Sequence, residues 1–220
     1  MSTPPSVAPL ELVLERRLSA DRLGPYRAAR QGDLGNAIAL YRWNAEVSAA
    51  FMETLGYLEV ILRNALHDQL AAWHANRQRP GEWFDDPAQV LLQHRRTDIA
   101  EAKRRITLAG RPLAPGRMVA ELTFGFWRFL LDRRCQNTLW APALRHAFPN
   151  LVPQRRVDVY NPIDRLLRVR NRIAHHEPVH YLPLEARYDD VLEILGFIDS
   201  AVQGWVAAGS RVPAVLATKP

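Results

Sequence analysis

Position 170 is an arginine, 171 an asparagine and 175 a histidine, within the run Arg170-Asn171-Arg172-Ile173-Ala174-His175-His176. Histidine is the side chain that exchanges protons near neutrality. Arginine holds its charge and offers planar N–H donors to phosphate oxygens. Together they form a sufficient kit for cutting RNA without a metal. The imidazole takes the 2′-hydroxyl proton or protonates the leaving 5′-oxygen. The guanidinium stabilises charge gathering on the phosphorus oxygens. Asn171 is placed to orient the imidazole or hold the RNA backbone. Chemistry of this kind needs the ribose 2′-hydroxyl, so it spares DNA, and it needs no cofactor.

These residues must be carried by a helix. Asn161-Pro162 reads as a cap followed by proline at the first helical position, and Pro178 ends the element, so the helix is expected over about 161–176. At 100° per residue, Ile163, Leu166, Leu167, Ile173 and Ala174 fall on one face, with Arg170 in the middle of it. Arg165, Arg168 and Arg172 point away and look solvated. An arginine on an apolar stripe must snorkel, pair with a carboxylate or line a cleft. Asn171 and His175 share a face, four residues apart. Arg170 and His175 are about 140° apart on an ideal helix. Either the last turn is distorted, or two copies meet about a twofold axis and share the site.

The rest of the chain reads as helices around one core, with no alternating apolar–polar runs that would form a sheet. A first helix is expected over about Leu10–Leu23, stopping at Gly24-Pro25. A second begins at an Asp33 cap and runs to about Asn76, with a possible break near Ser48. Its Leu55, Leu58, Leu62, Leu66 and Leu70 form one stripe. A charged helix is expected from an Asp86-Pro87 cap to Leu108. Next come an apolar, aromatic helix from Met118 to about Arg134, a shorter one over Asn137–Phe148, and a last amphipathic helix over about 184–208. Phe124, Phe126, Trp127 and Phe129 form either core or a surface between copies. The Ser/Pro-rich residues 1–9 lack the order of a secretory signal and, like 209–220, are expected to be flexible tails around one domain, 10–208.

Composition narrows the classes. The chain has 220 residues, 48% hydrophobic and 24% charged, with a net charge of +6. That suits a soluble single domain, and no apolar run is long enough to span a membrane. The lone Cys135 excludes an internal disulfide and a cysteine metal cage, and fits a reducing cytoplasm. Of 29 Lys+Arg residues, only Lys103 and Lys219 are lysines. Positive charge concentrates between Arg95 and Arg117 and between Leu151 and His180, which suits an anionic polymer as partner. His175, His176, Glu177 and His180 are dense in possible metal ligands, but lack the His-Glu-x-x-His or paired-Cys spacing of a metal site. No phosphate-binding loop, dinucleotide fingerprint or serine-hydrolase elbow is present.

The run Val169 to Pro178 resembles the Arg-Asn-x-x-x-His motif of HEPN-domain ribonucleases, and is most similar to their Abi-like branch, associated with abortive phage infection. Two further segments agree, Leu58-Glu59-Val60-Ile61-Leu62-Arg63-Asn64-Ala65 and Phe124-Gly125-Phe126-Trp127. In order and spacing, the three cover the chain from about Asp33 to Pro178. The resemblance implies an all-α, HEPN-like helical bundle with additional N-terminal helices. It implies a homodimer with a composite cleft, metal-independent endoribonuclease activity, and Arg170 and His175 as the catalytic pair with Asn171 between them. A toxin-like role in phage defence, and an antitoxin protein as partner, would follow. Supporting roles are open for His176, Glu59, Arg63 and Asn64. Glu59 and Arg63 form either a structural ion pair or a wall of the same cleft, which His67 could join. The competing expectation is a module that binds RNA or a protein without cutting.

Overall fold

The computed structural model describes residues 9–86, 88 and 90–220. The protein is all-α, with no strand among the described residues. Among the described residues no helix is long and apolar enough to cross a membrane.

The spine is α3, Leu34–Ala75, which runs unbroken for 42 residues, about 63 Å at 1.5 Å per residue. Asp33 caps it by accepting the Asn36 N–H at 2.7 Å. The expected break near Ser48 is absent. Leu40, Val47, Phe51, Leu55, Leu58, Leu62, Leu66 and Leu70 follow one another at spacings of three, four and seven, all buried. That continuous stripe keeps the helix unbroken through the small residues around Ser48. Most of the other helices pack against it.

Upstream lie α1, Leu10–Leu18, and α2, Ala20–Ala29. The expected single helix ending at Gly24-Pro25 is therefore two, and the break comes earlier. Ser19 takes a left-handed backbone (φ 76°) and its hydroxyl accepts the Arg22 N–H, so one residue ends α1 and caps α2. Pro25 sits inside α2, where full burial of Leu23 and Tyr26 outweighs the hydrogen bond that proline forfeits.

The charged helix α4 is Gln93–Leu108, starting later than expected. Asp86 does not cap it. Its carboxylate takes Arg79 at 2.5 Å and the Ala88 N–H at 3.0 Å, closing the loop before α4. The Pro87 of that expected cap lies outside the described residues, as do residues 1–8 of the expected N-terminal tail. The aromatic segment forms α5, Pro115–Glu121, and α6, Phe124–Leu130, because the Thr123 hydroxyl caps a new helix at the Phe126 N–H. Phe124, Phe126 and Trp127 are buried in the chain's own core, so they cannot form a surface between copies. Short 3₁₀ and π turns replace the helix expected over 137–148.

The helix of the Arg-Asn…His run is α7, Arg156–Ala174. It begins five residues before Asn161, leaving Pro162 in its interior. Tertiary anchoring starts it early. Arg156 is buried, donating to the Leu131 carbonyl at 2.6 Å and to Gln136 Oε1 at 3.0 Å, with Val159 and Ile163 buried behind it. The last amphipathic segment is two helices, α8 (Leu184–Ile198) and α9 (Ser200–Gly209), divided where Asp199 caps the Ala201 and Val202 N–H groups. Beyond them the expected loose tail folds back as α10, Val212–Leu216. Val212 is fully buried, and Trp43 Nε1 donates to the Val215 carbonyl at 2.8 Å.

Candidate functional site

Residues buried along α7 include Val159, Ile163, Leu166, Val169 and Ile173, whereas Ala174 is exposed. The buried face is therefore rotated from the one expected, and Arg170 stands at its edge, half-buried, rather than at its centre. Its Nε is sealed from solvent and has no hydrogen-bond partner. The other arginines of α7 are engaged. Arg156 is anchored as above, Arg165 grips Asp190 through two bonds (3.0 and 2.5 Å), and Arg168 pairs with Asp164 at 2.8 Å. Arg172, expected to be solvated, is half-buried. It reaches the Pro178 carbonyl at 3.2 Å and Glu177 at 3.2 Å.

The end of α7 is closed by backbone geometry. His175 is the capping residue, and His176 adopts the left-handed region at φ 56°. The Glu177 N–H reaches the Arg172 carbonyl at 2.8 Å and the His176 N–H reaches that of Ile173 at 2.9 Å. This is the Schellman pattern, which usually places glycine where His176 stands. Arg22 of α2 donates to the His176 carbonyl and pins the turn from outside. Asn171, His175 and His176 are exposed. Because α7 stays regular to Ala174, Arg170 and His175 keep their angular separation and point to different sides. Glu177 is taken by Arg172 and His180 is buried, so the histidine-rich run does not converge into a ligand set.

A cleft of ≈ 380 Å³ opens beside this turn, between α2, α3 and the end of α7. On α3 its wall includes Tyr41, Asn44, Ser48 and Met52. That face continues to Glu59 and Arg63, each within about 20° of Met52 around the helix axis. Asn64 is exposed about 120° away from it. Glu59 and Arg63 make no ion pair with each other, and Arg63, like Arg170, holds a sealed Nε without a partner. Among the described residues these two are the half-buried arginines that find no acceptor and lie over no aromatic ring. His67 does not join them, because its Nδ1 accepts Trp83 Nε1 at 2.9 Å.

Three residues outside the expected set hold the site. Asn44 is 7% exposed, and its Oδ1 accepts both the Val179 N–H (2.8 Å) and the His180 N–H (3.0 Å). One amide thus fastens the segment leaving the α7 turn onto the spine. Its signal was present in the sequence, since Asn44 interrupts the apolar series Leu40, Val47 and Phe51. Tyr26 is fully buried with an unpartnered hydroxyl, and burial pushes that hydroxyl up to about 12.

His180 is buried against Tyr26, with ring centroids 4.9 Å apart, and its Nε2 has no partner. Burial, and then the charges of Lys219 and Arg30, hold its pKa below the usual 6.5. The folded state therefore binds this proton less readily than the unfolded chain. The stability His180 contributes is complete above about pH 6.5, and is lost as pH falls from there through its folded pKa. Stability measured by urea titration should drop as pH falls below about 6.5, with a slope of at most about 1.4 kcal/mol per pH unit from this group. His180→Phe should flatten that slope, and an unchanged slope would rule the group out. Comparison with protein-family models, with curated proteins and with solved structures finds no match to this chain.

Proposed function

We propose that this protein is a metal-independent endoribonuclease of the Abi-like, HEPN-domain kind, working as a homodimer. In this reading His175 takes the proton from the 2′-hydroxyl as O2′ attacks phosphorus. The bond to O5′ breaks and O5′ takes up a proton from water, leaving a 2′,3′-cyclic phosphate and a 5′-hydroxyl. Arg170 neutralises the charge building on the non-bridging oxygens, and Asn171 holds the strand beside His175.

The observation that carries the reading is the state of Arg170. A desolvated donor without an acceptor costs about 1–3 kcal/mol, and every other arginine of α7 has one. An anionic ligand would satisfy it. Asn171 and His175 lie exposed nearby on the same helix, and a second copy can bring its own His175 to the side on which Arg170 points. Arg63, in the same state on α3, supports an anionic ligand along this face. In this reading the activity is that of a toxin-like effector in phage defence, with an antitoxin protein as a possible partner.

The test is to incubate purified protein with total RNA and tRNA in EDTA. The reading expects fragments ending in 2′,3′-cyclic phosphate. RNA left intact at micromolar protein would overturn the ribonuclease reading and leave RNA binding without cutting.

A further inference from the structure

The cleft beside the α7 turn has a polar group that the cutting chemistry does not use. Asn44 is more than nine-tenths buried, and its Oδ1 is committed to two backbone N–H groups. Those bonds leave only one orientation of the amide, with Nδ2 as the opposite end. Nδ2 has no partner among the described residues, yet it is not among the polar atoms sealed in the core. It therefore opens to the cleft that Asn44 lines. The walls around it are apolar and small, with Ala45, Ala49, Met52 and Ile173, and Tyr41 adds an aromatic ring. A fixed N–H donor in a pocket of ≈ 380 Å³ with apolar walls suits a flat ring that carries an acceptor on its edge. His176 lines the same cleft, one residue from His175. A ring seated there belongs to a nucleotide next to the reacting phosphate.

We propose that this cleft is a nucleobase subsite, in which the Asn44 amide donates to a ring carbonyl of an RNA base flanking the cleaved phosphate. Uracil, cytosine and guanine carry such a carbonyl. Adenine offers only ring nitrogens as acceptors, and its amino group flanks both N1 and N7, so that a donor would crowd the Asn44 donor on that edge. Mispairing of buried polar groups is the strong route to discrimination in a small pocket. Arg22, half-buried at the rim and already donating to the His176 carbonyl, has further N–H groups suited to the adjoining phosphate.

This inference rests on the ribonuclease reading for its place beside the cut, but binding tests it separately. The probes are the 3′-monophosphates of uridine, cytidine, guanosine and adenosine, titrated into the full-length protein by calorimetry. The nucleotides with a base carbonyl should bind at least about tenfold more tightly than the adenosine one. Asn44→Asp is the informative variant. One carboxylate oxygen keeps the clamp on Val179 and His180, while the other replaces the donor in the cleft with an acceptor. It should melt with the wild type, lose about tenfold for the carbonyl bases and gain for adenosine. Ala49→Trp, at an exposed position on the cleft wall, should weaken all four by filling the space.

Equal binding of the four nucleotides, no binding at millimolar concentration, or an unchanged order in Asn44→Asp would overturn the subsite. Mapped cut sites separate the two ideas. Base discrimination without cutting keeps the subsite and removes the ribonuclease. Cutting with no base preference, unmoved by Asn44→Asp, removes the subsite and keeps the ribonuclease.

Discussion

Arg170→Ala should lower the rate of RNA cleavage by about 10²–10³-fold while leaving the protein folded. The size follows from removing one preorganised donor from the charge that develops in the transition state. The intact fold follows from the structure. Among the described residues Arg170 makes no hydrogen bond or ion pair to lose, and its truncation removes a desolvated donor along with some stem packing. The expected stability change is within about 1 kcal/mol, a shift in Tm of roughly 2–4 °C for a chain of this size. Arg156→Ala on the same helix should behave in the opposite way. It strips the Leu131 carbonyl and Gln136 of their donor inside the core, and destabilises by about 1–3 kcal/mol. Thermal melts beside single-turnover cleavage separate the two. If Arg170→Ala cuts at the wild-type rate, its assignment fails.

Asn44→Ala should produce the largest loss of stability among substitutions near the site. Two buried backbone N–H groups would lose their acceptor together, and the segment after the α7 turn would lose its tie to α3. At about 1–2 kcal/mol for each orphaned donor, the cost is about 2–4 kcal/mol, or roughly 5–15 °C in Tm. Amide exchange at Val179 and His180 should rise most, because those are the groups set free. Asn44→Asp should show neither effect. A melt of Asn44→Ala within a degree or two of the wild type would mean that the turn is held by other contacts.

The helical class and the long spine were legible because apolar residues recur every three or four positions across α3 and α7, a pattern that only helices satisfy. Boundaries were harder wherever tertiary contacts overrode local signals. Gly24-Pro25 reads as a stop, yet the break falls at Ser19 because burial of Tyr26 carries α2 through the proline. Asn161-Pro162 reads as a start, yet Arg156 anchors the helix earlier through groups 20 and 25 residues away in sequence. The terminal residues read as a tail because nothing local shows that Trp43 and a buried niche for Val212 await them.

The same division holds at the site. Arg170 was conspicuous as a charge on an apolar stripe, though the true buried face is turned so that it stands at the edge. The failure of Arg170 and His175 to meet on one helix was legible from 100° per residue, and the structure keeps them apart. The clamp by Asn44, the Arg22 contact on the turn and the cleft between them were not. Each joins elements more than a hundred residues apart, and no spacing rule within one element reports such a contact.

That angular separation makes mixing of two inactive variants the most direct measurement. Arg170→Ala and His175→Ala proteins, each inactive alone, would be unfolded together, refolded at equal concentration and assayed on RNA in EDTA. If each site draws Arg170 from one copy and His175 from the other, every mixed dimer keeps one intact site. The mixture should then recover roughly a quarter of the wild-type rate. No recovery from a mixture shown to contain mixed dimers, or full cutting by either variant alone, would contradict the shared Arg170–His175 site.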